Sequence, residues 1–314
     1  MTTPPGSPTA LPPTTGLYVP GSRPDRFDKA LATGAELLIL DLEDAVAPEA
    51  KDAARASVVA WVARLLDVGD GERAVPHERP FPVLQVRVNA VGTPWHDADL
   101  AALATLPATA TEEAVEVRLP KVEGTDGLDD VVAAAGARPV TAILETACGV
   151  EAAGVVAAHD GVTRLALGES DLRSDLGTGS GPDAEAAVTY ARVRLLFAAR
   201  AAGLDAPMLS AYPAIRDLDG LLLDTVRGRA LGASGRVAIH PSQLPVIARA
   251  FAPNEDELAW AHAVVVGLEE SRGAVTRLPD GAMVDPAMHG RAAAILARAR
   301  TPTPTVTPTV TPPP

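Results

Sequence analysis

The sequence predicts an α/β fold, a parallel TIM (β/α)8 barrel with extra C-terminal helices, from two observations. Eight short apolar runs alternate with longer Ala-rich segments, and this repeated strand–helix alternation is typical of a parallel barrel. The run Leu37–Leu40 is continuously apolar, which is typical of a strand buried on both faces. A doubly wound open sheet is the alternative, but eight units in one domain fit a closed barrel better.

The individual elements follow from these runs and from their boundary residues. Pro48 opens a helical segment, where its missing N–H is harmless, and Asn254 precedes three acids as a helix N-cap. We predict strands at 17–19, 36–41, 82–89, 115–121, 140–145, 164–168, 208–212 and 236–240. We predict helices between them at 24–33, 48–66, 97–105, 127–136, 149–158, 183–203 and 218–231.

Three further helices are predicted after the eighth strand, at 241–251, 254–271 and 287–300. They exceed what a barrel needs and could form a cap or an exchange arm. We therefore expect a barrel at 16–252 and a C-terminal helical lid or exchange segment at 253–300. The ends, 1–15 and 301–314, are rich in Pro and Thr, which removes backbone donors and predicts disordered tails.

The composition excludes several classes of function. The net charge is −13, which disfavours binding to nucleic acid or to an anionic membrane. No stretch approaches 18 uninterrupted apolar residues, and the N-terminus lacks the features of a secretory signal. We therefore expect a cytoplasmic protein. The single cysteine, Cys148, allows neither an internal disulfide nor a cysteine metal site and is expected to be a small buried residue.

Ionisable residues follow seven of the eight predicted strands. Any one of them could simply cap the next helix, but charges of both signs delivered by many strands to one rim favour a functional site, because barrel chemistry is placed at the carboxyl ends of the strands. In strand order these residues are Arg23 and Arg26; Asp41, Glu43 and Asp44; Arg87; Lys121 and Glu123; Glu145; Glu169, Asp171 and Asp175; and His240.

The residue types at this rim indicate a metal-dependent reaction of a keto acid. Glu145 and Asp171 end adjacent strands with no Cys or His cluster nearby, which favours Mg²⁺. Asp41, Glu43 and Asp44 could bind the metal's water molecules. Arg87 offers a positive fork for a carboxylate or an enolate oxygen. A metal and an arginine facing a 2-keto or 2-hydroxy acid suit carbon–carbon cleavage or formation through an enolate.

The motifs at these positions resemble a known family. The segment LYVPGSRPDRFDKALATGAELLILDLEDAVAPEAKDAAR is similar to the opening of citrate lyase beta-subunit-like proteins of the HpcH/HpaI aldolase superfamily. The resemblance continues through VRVN, LPKVEG, ILET, LGESDLRSDLG, LGASGRVAIHPSQ and FAPNEDELAWA. It covers roughly residues 16–300, and the motifs together are specific for the family.

The resemblance implies a TIM barrel, Mg²⁺ dependence, trimeric or hexameric assembly and acyl-CoA substrates such as citryl-CoA, malyl-CoA or methylmalyl-CoA. It implies that Arg87 holds the reacting carboxylate or enolate. The other positions that match family residues are Glu145 and Asp171 as metal ligands, Glu43 and Asp44 as the acidic pair near the metal, and Arg23, Arg26 and Lys29 in the segment that contacts CoA.

A C-terminal motif extends the resemblance to malyl-CoA lyases and malate-synthase-like members. The segment DGAMVDP contains Asp280 and Asp285, and Asp285 matches an aspartate that acts as acid/base on a neighbouring subunit's substrate. The proline follows Asp285 directly instead of two residues later, so Asp285 could instead begin the last helix as its cap. The predicted seventh strand, SAYPAIRD, is also more apolar than the family pattern, which could alter the acyl pocket.

These observations predict a Mg²⁺-dependent lyase that cleaves or forms a 3-hydroxyacyl-CoA, giving acetyl-CoA and oxaloacetate or glyoxylate. Three alternatives stay open: a malate-synthase-like condensation with thioester hydrolysis, an aldolase that acts on free 2-keto acids without CoA, and a non-catalytic subunit of a larger lyase.

Overall fold

A computed structural model describes residues 11–67, 82–106, 115–179, 181, 183–278 and 281–300. They form two compact units, Pro13–Ile247 and the residues from Ala248 onward together with Leu11 and Pro12. Residues 1–10 and 301–314, which belong to the predicted tails, and Asp280 lie outside the described residues. Thr15, which the sequence assigned to the N-terminal tail, belongs to the first strand.

The first unit is built on seven parallel strands. β1 pairs on one side with β2 and on the other with β7, so the sheet curls in the order β6-β5-β4-β3-β2-β1-β7. The strands are β1 Thr15–Pro20, β2 Leu37–Asp41, β3 Val83–Arg87, β4 Val115–Leu119, β5 Val140–Leu144, β6 Val162–Leu167 and β7 Arg236–Ala238. All five residues of β2 are buried, as its continuous apolar run predicts.

The predicted seventh strand, 208–212, is not a regular strand. Met208 forms a single bridge to Ala166 of β6, and Leu209 forms one to Arg236 of β7, so this short segment fills the gap between the two edge strands. The Ser210 hydroxyl donates to the Leu167 carbonyl and accepts from the Glu169 N–H, so a side chain replaces the next backbone contacts. The prediction of an eight-membered barrel is confirmed. Its seventh member pairs with its neighbours through isolated β-bridges instead of a continuous ladder of hydrogen bonds.

Helices connect the strands largely where the Ala-rich segments predict them. The helices of this unit are α1 Phe27–Leu31, α2 Lys51–Asp67, α3 His96–Ala104, α4 Leu128–Ala134, α5 Ala147–Glu151, α6 Ala153–Ala157, α7 Glu169–Leu176, α8 Glu185–Ala201 and α9 Leu218–Leu231. The helix predicted at 149–158 is two short helices, and α7 was not predicted. α7 ends at Gly177, whose φ of 63° a glycine adopts without strain.

The C-terminal residues form a small helical unit with its own apolar core. Its elements include α11 Glu255–Glu270, β8 Thr276–Arg277, β9 Met283–Val284 and α12 His289–Arg300, after α10 Leu244–Phe251. Asn254 begins α11 in a full capping box with Glu257, as the sequence indicates. Its core contains Ala261, Val264, Leu268, Leu278, Val284 and Ala292. The antiparallel pair of β8 and β9 was not predicted.

Two further observations bear on the sequence predictions. Within the described ranges, every helix is too short or too polar to cross a bilayer. Cys148 is exposed, so the expectation of a buried residue is wrong. It is the second residue of α5, and the buried residues of that helix are Gly149 and Val150, which follow it.

Candidate active site at the carboxyl ends of the strands

Arg87, the last residue of β3, is surrounded by the acidic residues that follow β2. Asp41 and Arg87 are register partners on neighbouring strands, and both Asp41 oxygens accept from the guanidinium, at 2.7 Å from Nε and 2.6 Å from Nη2. The third nitrogen, Nη1, lies 2.9 Å from Glu43 and 3.3 Å from the exposed Asp44. Arg87 is thus fixed by Asp41. Its Nη1 faces the acidic loop, the segment after β2 that contains Glu43 and Asp44.

Glu43 is a buried carboxylate with unsatisfied oxygens. Although Arg87 Nη1 is at ion-pair distance, its N–H bonds do not point along the contact, and neither Glu43 oxygen accepts a hydrogen bond from the described residues. Burial raises the pKa of Glu43 to about 7, with Arg87 opposing the shift and the charges of Asp44 and Glu145 adding to it. The site therefore has more negative charge than its own cations neutralise.

Lys51 of α2 holds the backbone of the acidic loop in place. Its ammonium donates to the carbonyls of Leu42 and Glu43, at 2.8 and 2.7 Å, and to Asn89 Oδ1 at 2.6 Å. Asn89 in turn donates to the buried Asp99, which pairs with Arg55. Lys51 is itself buried, so this network fixes where Glu43 stands.

A second charged group joins the ends of β4, β5 and β6. Glu145 follows β5 and is buried, whereas Asp171 lies in the first turn of α7 and is half-exposed. The Lys121 ammonium lies 3.9 Å from Glu145 Oε1 and 3.5 Å from Asp171 Oδ1. Lys121 has a left-handed backbone, with φ of 56°, and its N–H donates to Glu145 Oε1 at 2.8 Å. A positive φ is uncommon for lysine and marks a backbone under constraint.

The charges around Glu145 favour the binding of a divalent cation beside its carboxylate. Burial raises the pKa of Glu145, the charge of Asp171 raises it further, and Lys121 opposes both. A Cβ on Gly168 would lie 2.3 Å from Glu145 Oε2, so only glycine leaves room for this carboxylate. Among the described residues no set of three or more His, Cys, Asp or Glu forms a metal cage. Two carboxylates with room for water or substrate oxygens fit Mg²⁺, which keeps several non-protein ligands.

The three basic residues predicted to bind CoA lie together on the surface after β1. Arg23, Arg26 and Lys29 are all exposed, on the turn Pro24–Arg26 and the helix α1. Arg23 pairs with Asp25, at 2.9 and 2.8 Å. No carboxylate of the described residues pairs with Arg26 or Lys29, so both cations are accessible to an anion.

Asp285 lies in the C-terminal unit and caps a short helical turn. Its side chain accepts from the Ala287 N–H at 2.9 Å at the start of Pro286–Met288. This is the capping role that the sequence left open. One carboxylate oxygen suffices for it, so the acid/base role of Asp285 stays a prediction.

Four other strand-end residues make local structural contacts and do not join the two charged groups described above. Glu169 pairs with Arg192, and Asp175 accepts from the Ala147 N–H. Glu123 accepts from the Thr146 hydroxyl, and His240 caps the turn Pro241–Gln243. For these residues the alternative of local capping and pairing was the better interpretation.

Sequence reasoning missed Lys51, Tyr18 and the place of Lys121. The Tyr18 ring in β1 lies 5.1 Å from the Arg87 guanidinium carbon, a distance typical of cation–π contact. A lysine at the start of a helix and an aromatic inside a strand carry no distinctive pattern. Lys121 was noticed at the rim, but its contact with two carboxylates depends on a positive φ that no pattern predicted.

A TIM barrel whose strand ends gather two neighbouring carboxylates and a fixed arginine belongs to the class of barrel proteins with an enzyme-like site at this rim. The sequence profile of the HpcH/HpaI aldolase/citrate lyase family matches residues 14–241. The chain belongs to this family, and the resemblance seen in the motifs is confirmed.

Relatives within the family carry different names. A (3S)-malyl-CoA thioesterase of Cereibacter sphaeroides is 34% identical over 271 residues, which cover 86% of this chain and 88% of that protein. A citrate lyase subunit beta-like protein of Mycobacterium tuberculosis is 36% identical over 291 residues, covering 90% and 94%. The family is one of enzymes, and the two names leave lyase and thioesterase activity both open for this chain.

A solved structure of similar fold contains ligands. The protein CitE from Mycobacterium tuberculosis, in complex with magnesium, acetoacetate and coenzyme A, superposes with a TM-score of 0.73 at 32% identity. The match covers 92% of this chain and 98% of that one. That protein is thus solved with the kind of metal that the carboxylate pair here fits.

Proposed function

We propose that this protein is a Mg²⁺-dependent carbon–carbon lyase that cleaves a 3-hydroxyacyl-CoA, such as citryl-CoA or malyl-CoA, into acetyl-CoA and a 2-keto acid. The observation that carries the proposal is the pair of carboxylates, Glu145 and Asp171, that share one cation position beside the fixed Arg87. The magnesium in the related CitE structure supports the choice of metal.

The residues divide the work of the reaction. Glu145 and Asp171 would hold Mg²⁺, which when bound supplies Lewis-acid polarisation of the keto-acid oxygens. Arg87 Nη1 binds the reacting carboxylate and stabilises the enolate of the departing thioester. Glu43 and Asp44, the acidic pair beside Nη1, would bind water molecules of the metal. Arg26 and Lys29, with Arg23, bind the phosphates of CoA.

The proton balance requires an acid/base group. The bond between the hydroxyl-bearing carbon and the α-carbon of the thioester breaks, the hydroxyl loses its proton, and the α-carbon gains one to become acetyl-CoA. We assign this proton transfer to Asp285 of a neighbouring subunit, which requires a homo-oligomer such as a trimer or hexamer.

The test is acetyl-CoA release from malyl-CoA and from citryl-CoA, with and without Mg²⁺. We expect turnover with at least one thioester only when Mg²⁺ is present, and we expect Glu145→Gln and Asp171→Asn to abolish the response to Mg²⁺. Glu123→Gln is the matched control, since the hydrogen bond that this rim carboxylate accepts within the described ranges comes from Thr146. The proposal is wrong if neither thioester is cleaved while free keto acids or other acyl-CoAs react.

Thioester hydrolysis is the second candidate, because the Cereibacter sphaeroides relative is named a malyl-CoA thioesterase. The two activities differ in their products. A thioesterase releases free CoA and malate from malyl-CoA, and the related synthase reaction releases free CoA from acetyl-CoA and glyoxylate. A thiol assay for CoA, run beside the acetyl-CoA assay, separates them.

A further inference from the structure

A second arginine crosses the interior of the barrel beside Arg87. Arg118 of β4 is the register partner of Arg87 of β3. Its Nε donates to the Tyr18 hydroxyl at 3.0 Å and its Nη1 to Gln85 Oε1 at 2.8 Å. β1, which holds Tyr18, is separated from β4 by β2 and β3, so the Arg118 side chain reaches across the barrel interior.

The charge of Arg118 has no counter-charge. The residue is 6% exposed, its two hydrogen-bond acceptors are neutral, and no carboxylate of the described part of the chain forms an ion pair with it. Glu116, the interior carboxylate on the same strand, is already engaged by Gln85, Thr141 and Arg164. Arg87, by contrast, faces three carboxylates.

A buried cation without an anion is costly, and proteins normally pair such groups. The Tyr18 ring, 5.6 Å from the Arg118 guanidinium carbon, compensates part of this cost. The same ring lies beside Arg87, and both Tyr18 and Arg87 are only partly buried. The two guanidinium groups therefore flank one partly exposed ring.

We propose that Arg118 binds a second carboxylate of the keto acid, so that the enzyme prefers a dicarboxylic 2-keto acid over a monocarboxylic one. This inference rests on the proposed function and specifies its substrate class. One carboxylate of the keto acid is held at the metal and Arg87, and the distal carboxylate supplies the anion that Arg118 lacks. The acyl-CoA cleaved then carries this additional carboxylate.

Oxaloacetate and pyruvate are matched probes, because they differ by this one carboxylate. Fresh solutions of each are titrated calorimetrically into the Mg²⁺-loaded protein. We expect oxaloacetate to bind about tenfold or more tighter than pyruvate, the range of a charge-assisted hydrogen bond to a carboxylate. In Arg118→Met we expect oxaloacetate to lose this advantage while pyruvate affinity stays within about twofold.

The control is Arg164→Met, because Arg164 is an interior arginine already paired with Glu116 and Asp205. Its oxaloacetate-to-pyruvate ratio is expected to match the wild type. Arg118→Lys carries the test if the Met variant does not fold: it keeps a cation without the planar fork, so the preference should shrink but persist.

The inference is overturned if wild-type protein binds both acids equally, or if either Arg118 variant weakens both to the same degree. Failure of the proposed function is a separate result. It would appear as wild-type protein that releases no acetyl-CoA from any thioester, whatever the two keto acids do in the titration.

Discussion

Both carboxylate oxygens of Asp41 hold the guanidinium of Arg87, at 2.7 and 2.6 Å, on neighbouring strands in register. Asp41 also accepts from the N–H groups of Glu43 and Ala45. One aspartate therefore fixes both the arginine and the loop that faces it. The acid nearest to the strand is part of the framework, whereas Glu43 and Asp44 are directed toward Nη1.

Asp41→Asn should impair both stability and turnover. The pair is largely buried, and breaking a buried ion pair costs about 3 kcal/mol or more in the free energy of unfolding. Misplacing Arg87 by about 1 Å should lower kcat/KM by about 100-fold. Urea unfolding and steady-state kinetics measure the two effects. Asp25→Asn, which breaks the exposed Arg23–Asp25 pair, is the control and should not change stability measurably.

Lys121→Met should strengthen binding of Mg²⁺ to the protein without substrate. The Lys121 ammonium lies within 4 Å of both proposed ligands, so it competes with the metal for their charge. Removing a like charge at this distance should tighten Mg²⁺ binding by about tenfold at low salt, less at high salt. Calorimetric titration with Mg²⁺ alone measures this. Lys29→Met should leave the affinity unchanged, and weaker binding in the Lys121 variant would contradict the competition.

Asp285→Asn should block turnover while leaving substrate binding and folding intact. Asparagine caps helical turns as well as aspartate does, so the contact with the Ala287 N–H survives and only the proton-transferring group is lost. We expect a fall in kcat with little change in KM and in melting temperature. A variant with wild-type kcat would leave Asp285 with its capping role alone.

Asp224 should make stability depend on pH at the acid end. Burial raises the pKa of its carboxyl, but hydrogen bonds from Arg192 and the charge of Arg236 outweigh burial and hold this pKa below its ordinary value. Its stabilisation is therefore complete above the unfolded-state pKa of about 3.9 and is lost as the pH falls through the lower folded-state pKa.

The measurement is the free energy of unfolding of wild type and Asp224→Asn between about pH 2 and about pH 7, a range that includes the ordinary aspartate pKa of about 3.9. The difference should be constant near neutrality and shrink toward the acid limit. Asp219→Asn is the control on the same helix, since Asp219 is exposed. A difference that grows with acidity would reverse the expected sign.

The fold was largely predictable because the spacing of apolar residues along the chain distinguishes helices from strands. The five-residue buried run of β2 and the helix α9, predicted at 218–231 and found as Leu218–Leu231, depend on local patterns alone. The seventh strand was not, since its pairing with β6 is reduced to one bridge and to contacts of the Ser210 hydroxyl, which depend on where β6 ends.

The candidate site was predictable only as a collection of residues. Parallel strands bring their carboxyl ends together, so acids and bases after successive strands meet at one rim. Which of them pair is decided by side-chain geometry. Asp41 clamps Arg87, Lys121 lies between Glu145 and Asp171, and Lys51 enters from a helix. None of these three relationships has a spacing that sequence alone reveals.

The seventh member of the barrel, residues 208–212, is held by two backbone bridges and by side chains. Arg236 spans it on the face that packs against α9, donating to the Ser210 carbonyl, the Thr225 hydroxyl and Asp224. A strand fixed by a ladder tolerates few changes of path, whereas a segment fixed by two bridges can move when a single anchoring side chain is exchanged. Exchange of one residue within 208–212 can therefore move this part of the barrel without loss of the surrounding sheet.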